Sequence, residues 1–356
     1  TTRICTRLND KRKAMRINSW CGWDPLEEVW VGRHHLPEYF DLIPIQNIRE
    51  PLKKIAEETE EDYQSLIKIL KDYGVQKILR PEFDVTSKYG NGIPTHATNP
   101  RDYHWVYGNK LYRFENKNCY NKLYNEYKKD HCDVYDPYTG IVTPVTDKIE
   151  APCMVRFGDA VLVDAVTIDQ RKWLRKELKD TKIFWWPRPQ GHRDGLFCPV
   201  KPGLIVSLID YREDLVHKKI FEGWENLYIP NESWEKTTFT NRDNNIHKML
   251  KKTRNKWYLK DQEDNNELIN FINVYLSEWV GYCAESVFDV NMLVLDQHNV
   301  IVNSYNKKIF DTFKKHKIEP IICNLRHRYF WDGGLHCNTL DIRRQGKKER
   351  YLNYAD

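Results

Sequence analysis

Ala160-Val-Leu-Val-Asp-Ala165, Ile168–Leu178 and Lys182-Ile-Phe-Trp-Trp-Pro187 form the stretch on which the fold turns. The first is a short apolar run suited to a buried strand. The second places Ile168, Trp173, Leu174 and Leu178 on one helical stripe. The third is again strand-like, and proline stops it. The same strand–helix–strand unit recurs along the chain. Gly203-Leu-Ile-Val-Ser207 leads to a helix over Asp214–Phe221, a stop at Gly223 and Asn226-Leu-Tyr-Ile-Pro230. Asn299-Val-Ile-Val-Asn303 leads to Lys307–Lys315 and then Ile318–Cys323. Glu28-Val-Trp-Val-Gly32 precedes a long helix over about Arg49–Tyr73, ended by Gly74, and a strand over Val75–Leu79. Lys110-Leu-Tyr-Arg-Phe114, a helix over Cys119–Lys129 and Asp133-Val-Tyr135 give a fifth, weaker copy. Five copies of one unit point to a radial or stacked array, with an ordinary α/β sheet as the alternative.

Two stretches interrupt the repeats. Phe83–Asn99 is polar and turn-rich and reads as a loop. Asn231–Trp279 carries charged clusters and then an amphipathic helix over Leu268–Trp279. It reads as an insertion on the array, either a lid or contact arm or simply solvated surface helices.

Composition narrows the function classes. The chain has 356 residues, 40% of them hydrophobic and 30% charged, which is enough apolar material for a large core. The net charge of +5 is small for 107 ionisable Lys, Arg, Asp and Glu residues (56 basic plus 51 acidic), so no nucleic-acid partner is implied. No apolar run approaches the ~20 residues of a membrane span. The expectation is a soluble, cytoplasmic protein with no membrane partner. Nine cysteines, odd in number and without a Cys-x-x-Cys pair, argue against a disulfide framework or a zinc ribbon. No metal or organic cofactor is expected.

Three short sequences combine reactive side chains with turn formers. Trp331-Asp332-Gly333-Gly334-Leu335-His336-Cys337 sets paired glycines just before a thiol, which permits close backbone approach to a ligand. Gly191-His192-Arg193-Asp194-Gly195 puts His192 and Asp194 on one side if the segment is extended, and a His beside a carboxylate can work as a general acid/base. Glu150-Ala151-Pro152-Cys153 brings a carboxylate before a strand, and Asn99-Pro100-Arg101-Asp102 does the same in another repeat. Each could equally be a structural turn or a hydrogen-bonded histidine. Together they set one thiol, one imidazole and three carboxylates at equivalent ends of repeated units. Carboxylates can grip a planar guanidinium in a bidentate fork, and a Cys/His pair can do covalent chemistry.

These segments, with Trp23-Asp24-Pro25-Leu26-Glu27-Glu28-Val29-Trp30-Val31-Gly32-Arg33 and Asp341-Ile342-Arg343-Arg344, resemble the arginine:glycine amidinotransferase family in order from about Ser19 to the C-terminus. The resemblance implies a pentein fold: a five-bladed α/β-propeller of ββαβ units with pseudo-fivefold symmetry. It implies a single catalytic domain over residues 19–356, an N-terminal extension over 1–18 and an insertion at about 231–279. It makes Cys337 the nucleophile and His192 the general acid/base. Asp194 and Glu150 would bind the guanidinium, Asp102 would bind substrate, and Gly334 would allow close approach. The family's carboxylate-binding arginine aligns with Tyr211, with Arg212 next to it. Cys153 stands where the family has a second aspartate, Ala284-Glu285 where it has paired serines, and Asn338 follows the nucleophile.

The implied reaction moves the amidino group of L-arginine to an acceptor amine, glycine in the family, and releases L-ornithine. The implied partners are small-molecule substrates, and a homodimer is expected because the family often forms one. Hydrolysis of arginine on the same fold is the first rival, and a non-catalytic pentein binding protein the second.

Overall fold

The computed structural model describes residues 17–83, 96–114, 117–129, 133–135, 151–164, 166–186, 192–210, 215–229, 259–276, 280 and 285–355. Among these residues fifteen strands form five three-stranded sheets. In the first sheet β1 (Leu26–Val31) pairs in parallel with β2 (Lys77–Leu79), and α1 (Gln46–Asp72) connects them. The second holds β3 (His104–Tyr107), β4 (Lys110–Arg113) and β5 (Asp133–Tyr135), preceded by the short helix α2 (Pro100–Tyr103), with α3 (Asn121–Lys129) between β4 and β5. The third holds β6 (Met154–Phe157), β7 (Ala160–Val163), α4 (Ile168–Glu177) and β8 (Lys182–Trp185). The fourth holds β9 (Phe197–Lys201), β10 (Leu204–Ser207), α5 (Leu215–Ile220) and β11 (Glu225–Tyr228).

An insertion helix, α6 (Asn266–Tyr275), and α7 (Glu285–Val290) follow. The fifth sheet holds β12 (Leu293–Val294), β13 (Asn299–Val302), α8 (Lys307–Lys315) and β14 (Glu319–Ile322). The last strand, β15 (Thr339–Arg344), returns antiparallel to β1 and closes the ring of units with the C-terminus. In every sheet an antiparallel pair is followed by a helix and a parallel strand, the ββαβ pentein unit. The five repeats read from the sequence are these units without their first strands.

Local chemistry explains the elements. Thr167 caps α4 in a capping box with Gln170. Gly74, at φ +83°, ends α1 in the left-handed conformation that glycine adopts at low cost. The helix starts one turn earlier than its hydrophobic pattern suggested, which leaves Pro51 inside it. Proline has no N–H for the carbonyl of Asn47 four residues back. That carbonyl accepts instead from Asn265 Nδ2 at 2.7 Å. The described part of the insertion is therefore packed rather than a solvated pair of helices. Leu268, Ile272 and Leu276 bury against Ile48, Leu52 and Ile55 of α1, in one cluster with Trp331.

The units meet around one buried carboxylate. Asp341 on β15 is fully buried and takes Arg101 Nη2 at 2.8 Å, Arg344 Nε at 2.7 Å, the Ser19 hydroxyl at 2.9 Å and Arg156 Nη2. Burial alone would push its carboxyl up; Arg156, Arg344 and Arg101 overcome that and hold it well below the usual carboxylate range. The arginines carry the connection onward. Arg156 donates to the Val106 carbonyl at 2.7 Å, and Arg344 to the carbonyls of Asp24 and Val294 at 2.6 and 2.9 Å. Asp341→Asn leaves these guanidinium groups without their counter-charge. It should cost about 3–5 kcal/mol in denaturant unfolding, the range for breaking a buried ion pair. Glu225→Gln, which weakens only surface contacts with Lys315 and His316, should change stability little.

Candidate active site

Cys337 closes the turn that runs from Trp331 into β15 and is 8% exposed. Its thiol donates to Asp194 Oδ2 at 3.1 Å and accepts from Asn291 Nδ2 at 2.9 Å. Asn291 follows α7, and its carboxamide works at both ends. The Oδ1 atom accepts the peptide N–H groups of His336 and Cys337 at 2.9 and 3.1 Å, while Nδ2 reaches the sulfur. One side chain thus fixes the backbone of the turn and the direction of its thiol. The paired glycines are the condition for it. A Cβ on Gly334 would stand 2.7 Å from Asn291 Oδ1, and one on Gly333 would stand 2.2 Å from Asn99 Oδ1. Gly334 lines the cavity, as its assignment to substrate approach requires, and its bareness also serves Asn291.

Asp194 and His192 sit differently from the extended segment expected. Arg193–Gly195 is a 3-10 turn with His192 as its N-cap residue. His192 is exposed, whereas Asp194 is buried, so the two side chains have different surroundings. Asp194 Oδ2 accepts from both Cys337 and His336 Nδ1, the latter at 3.0 Å. Burial pushes the Asp194 carboxyl up, but the His336 hydrogen bond and its other polar neighbours outweigh burial and hold it at about 2. Burial and Arg101 push His336 down to about 4, so it is neutral at neutral pH. It therefore supports Asp194 by donating from Nδ1, since an ionised carboxylate only accepts. Asp194 Oδ1 is buried and has no hydrogen-bond partner among the described residues.

Asp102 lies in α2, where its N–H closes a turn onto the Asn99 carbonyl at 3.1 Å. Its Oδ1 is likewise buried without a hydrogen-bond partner. Burial pushes the Asp102 carboxyl up to about 7; His192 draws it down, and Asp194 and Asp332 push it further up. His192 lines the same cavity as both carboxylates. A cavity of about 230 Å³ gathers Cys337, His192, Asp194, Asp102, Asn291, Asp332 and Gly334, with Trp331, Tyr103 and Phe288 among its apolar walls.

Glu150 and Arg212 lie outside the described residues, as do Tyr211 and Ala284 among the departures. Cys153 is buried and closes a short turn before β6. Other thiols are unsuited to chemistry: burial pushes Cys198 and Cys323 up to about 12. The sequence reading missed Asn291, Asn99 and the support role of His336. Only the last had a signal, its place beside the thiol. Asn338, noted as a departure, bonds Asn99 Oδ1 at 2.6 Å and accepts from Tyr63 at 3.0 Å, so it braces the turn from behind.

A thiol beside an ionised carboxylate with a free oxygen, facing an acidic cavity, suits attack on a cationic planar carbon. Comparison with known proteins agrees. No protein-family model matches the chain. It is 26% identical over 411 aligned residues to the mitochondrial glycine amidinotransferase of Xenopus laevis, covering 94% of this chain and 85% of that one. It is 24% identical over 220 residues to the L-arginine:L-lysine amidinotransferase of Pseudomonas savastanoi pv. phaseolicola, a match that spans 60% of this chain and only 49% of the relative. Among solved structures, an amidinotransferase of saxitoxin biosynthesis from Microseira wollei superposes with a TM-score of 0.66 at 21% identity, covering 94% of this chain and 99% of that one. Inosamine-phosphate amidinotransferase from Streptomyces griseus gives 0.66 at 19%, covering 95% and 99%. A dimethylarginine dimethylaminohydrolase shares the fold at 0.52 and 10% identity, covering 88% and 99%.

Asp102 generates a pH prediction. The native state keeps its proton up to about 7, whereas an unfolded Asp loses it near pH ~4. Between those values the native state binds more protons, so this group makes stability fall as pH rises. Asp102→Asn should remove that fall and raise the melting temperature above pH ~7 relative to the parent. Parallel stability–pH curves for the two proteins would refute this role for burial. The five ββαβ units, the ordered motifs and these relatives together make the chain similar to the amidinotransferases of the pentein fold.

Proposed function

We propose that the protein transfers the amidino group of L-arginine to an acceptor amine, with glycine the first acceptor, through a covalent amidino-cysteine on Cys337. The observation that carries this reading is the pairing of the Cys337 thiol with Asp194, which lines the same cavity and whose second oxygen is buried with no hydrogen-bond partner among the described residues. A guanidinium N–H would complete that oxygen and bring the guanidinium carbon over the sulfur.

The reaction has two halves. The Cys337 thiol gives its proton to His192 and its sulfur attacks the guanidinium carbon, with Asn291 Nδ2 supporting the negative sulfur. His192, at the mouth of the cavity, protonates the departing nitrogen, and ornithine leaves. The acceptor amine then gives a proton to His192 and attacks the amidino carbon, and the Cys337 sulfur leaves. Asp194 stays ionised throughout and holds the planar cation. A cationic substrate beside Asp102 would also draw off the proton that burial keeps there. The family resemblance adds Glu150 as a second guanidinium-binding carboxylate and Arg212 as the partner of the arginine carboxylate. The names of the relatives supply two acceptors, glycine and L-lysine.

Arginine should be incubated with glycine, with L-lysine and alone, and the products separated. Ornithine release that requires an acceptor, with formation of the amidino-acceptor, is the expected result. Citrulline and ammonia from arginine alone would replace this reading with the hydrolase. Cys337→Ala should abolish ornithine release; unchanged release would remove the nucleophile assignment.

A further inference from the structure

Arg193 stands between His192 and Asp194 in the same turn, yet its side chain points away from the cavity and is fully buried. Its Nη2 pairs with Asp164 Oδ2 at 2.6 Å, and both side chains have no exposed surface. The guanidinium lies 4.2 Å from the ring centroid of Trp186. Both contacts belong to the preceding unit. Asp164 directly follows β7, and its N–H bonds the Cys153 carbonyl at 3.0 Å. Trp186 directly follows β8, and its N–H bonds the Val163 carbonyl at 2.8 Å. The arginine therefore ties the turn that opens the fourth unit to the edge of the third.

Burying two charges is costly, and well-packed apolar residues of similar size often serve stability equally well or better. Stability alone is thus a poor reason for this pair. Direction is a better one. A planar guanidinium held on one face by an indole and at one end by a carboxylate has little freedom to rotate. The residues before and after it inherit that restriction. The Arg193 carbonyl also accepts the Leu196 N–H at 2.9 Å, which closes the turn.

We propose that the Arg193–Asp164 ion pair is a positioning device, which sets where Asp194 and His192 stand relative to the Cys337 thiol. The proposal rests on the amidinotransferase reading only for its activity readout. Displacement of Asp194 also changes the hydrogen bond to the thiol, and the rate of Cys337 alkylation by iodoacetamide reports that without any turnover.

The test is the double variant Arg193→Met with Asp164→Leu, which removes both charges and leaves neither buried alone. The expected result is a native-like melting temperature, a fall in kcat for ornithine release of roughly tenfold to a hundredfold, and a displaced pH profile of Cys337 alkylation. Arg193→Lys keeps the charge but loses the planar stacking, and it should fall between the parent and the double variant in both readouts. A double variant with native kcat and a native alkylation profile would overturn the proposal and leave the pair as packing alone. If the double variant does not fold, Arg193→Lys decides: an intermediate kcat with a displaced profile supports the device, and native values for both overturn it. If the parent releases no ornithine, the amidinotransferase reading falls, and the alkylation profiles still decide the role of the pair.

Discussion

One buried carboxylate holds this protein together. Asp341 sits among three guanidinium groups, those of Arg101, Arg156 and Arg344, and each arginine spends its remaining donors on backbone carbonyls of other segments. A lone buried carboxylate would be prohibitively costly, and so would each of the arginines. They are tolerable only in combination, which forces the segments carrying them to one place. Three of the units supply the combination: Asp341 from the last strand, Arg156 from β6 and Arg101 from α2. Ring closure and charge satisfaction are therefore the same event.

The reactive turn hangs from this hub. Asp341 lies four positions beyond Cys337. Arg101 Nε reaches the carbonyls of His336 and Thr339, both at 3.0 Å, while its other end holds Asp341. Arg101 also precedes Asp102 in the chain, so the residue tied to the reactive turn is next to one of the cavity carboxylates. From that fixed backbone the local network follows. Asn291 aims the thiol, His336 keeps Asp194 ionised, and the bare Gly333 and Gly334 let two asparagines approach. Among the acceptors left without a hydrogen-bond partner in the described residues are Oδ1 of Asp194 and Oδ1 of Asp102. Such orphaned acceptors are destabilising in an empty site and become useful when a cation arrives.

The sequence disclosed the parts governed by periodicity. The helix stripe of α1, the apolar runs of β7, β10 and β13 and the stop at Gly74 are local signals, and the units were legible from them. The opening strand of each unit was not. His104-Trp-Val-Tyr107 is buried on both faces and so does not alternate, and β9 contains Pro199. The His192–Asp194 segment misled for a related reason: alternate spacing suits an extended strand, while the chain instead makes a 3-10 turn around a buried arginine. At the site, Cys337, His192, Asp194 and Asp102 were legible through the order of their motifs. Asn291, Arg101 and Asp341 were not, because a buried polar residue looks like a surface one until its partner, up to 240 residues away, is known. Asn265, which satisfies the carbonyl that Pro51 leaves open, belongs to the same class.

The central claim is that the Cys337 sulfur takes the amidino group and expels ornithine. Intact-mass measurement of the protein mixed with L-arginine alone tests it most directly. The account predicts a mass gain of one amidino group, mapped by peptide analysis to Cys337, with an equivalent amount of ornithine set free. An adduct that retains the whole amino acid less ammonia would mean that the other nitrogen leaves, as in a hydrolase. That result, or an adduct on any other cysteine, would contradict the account.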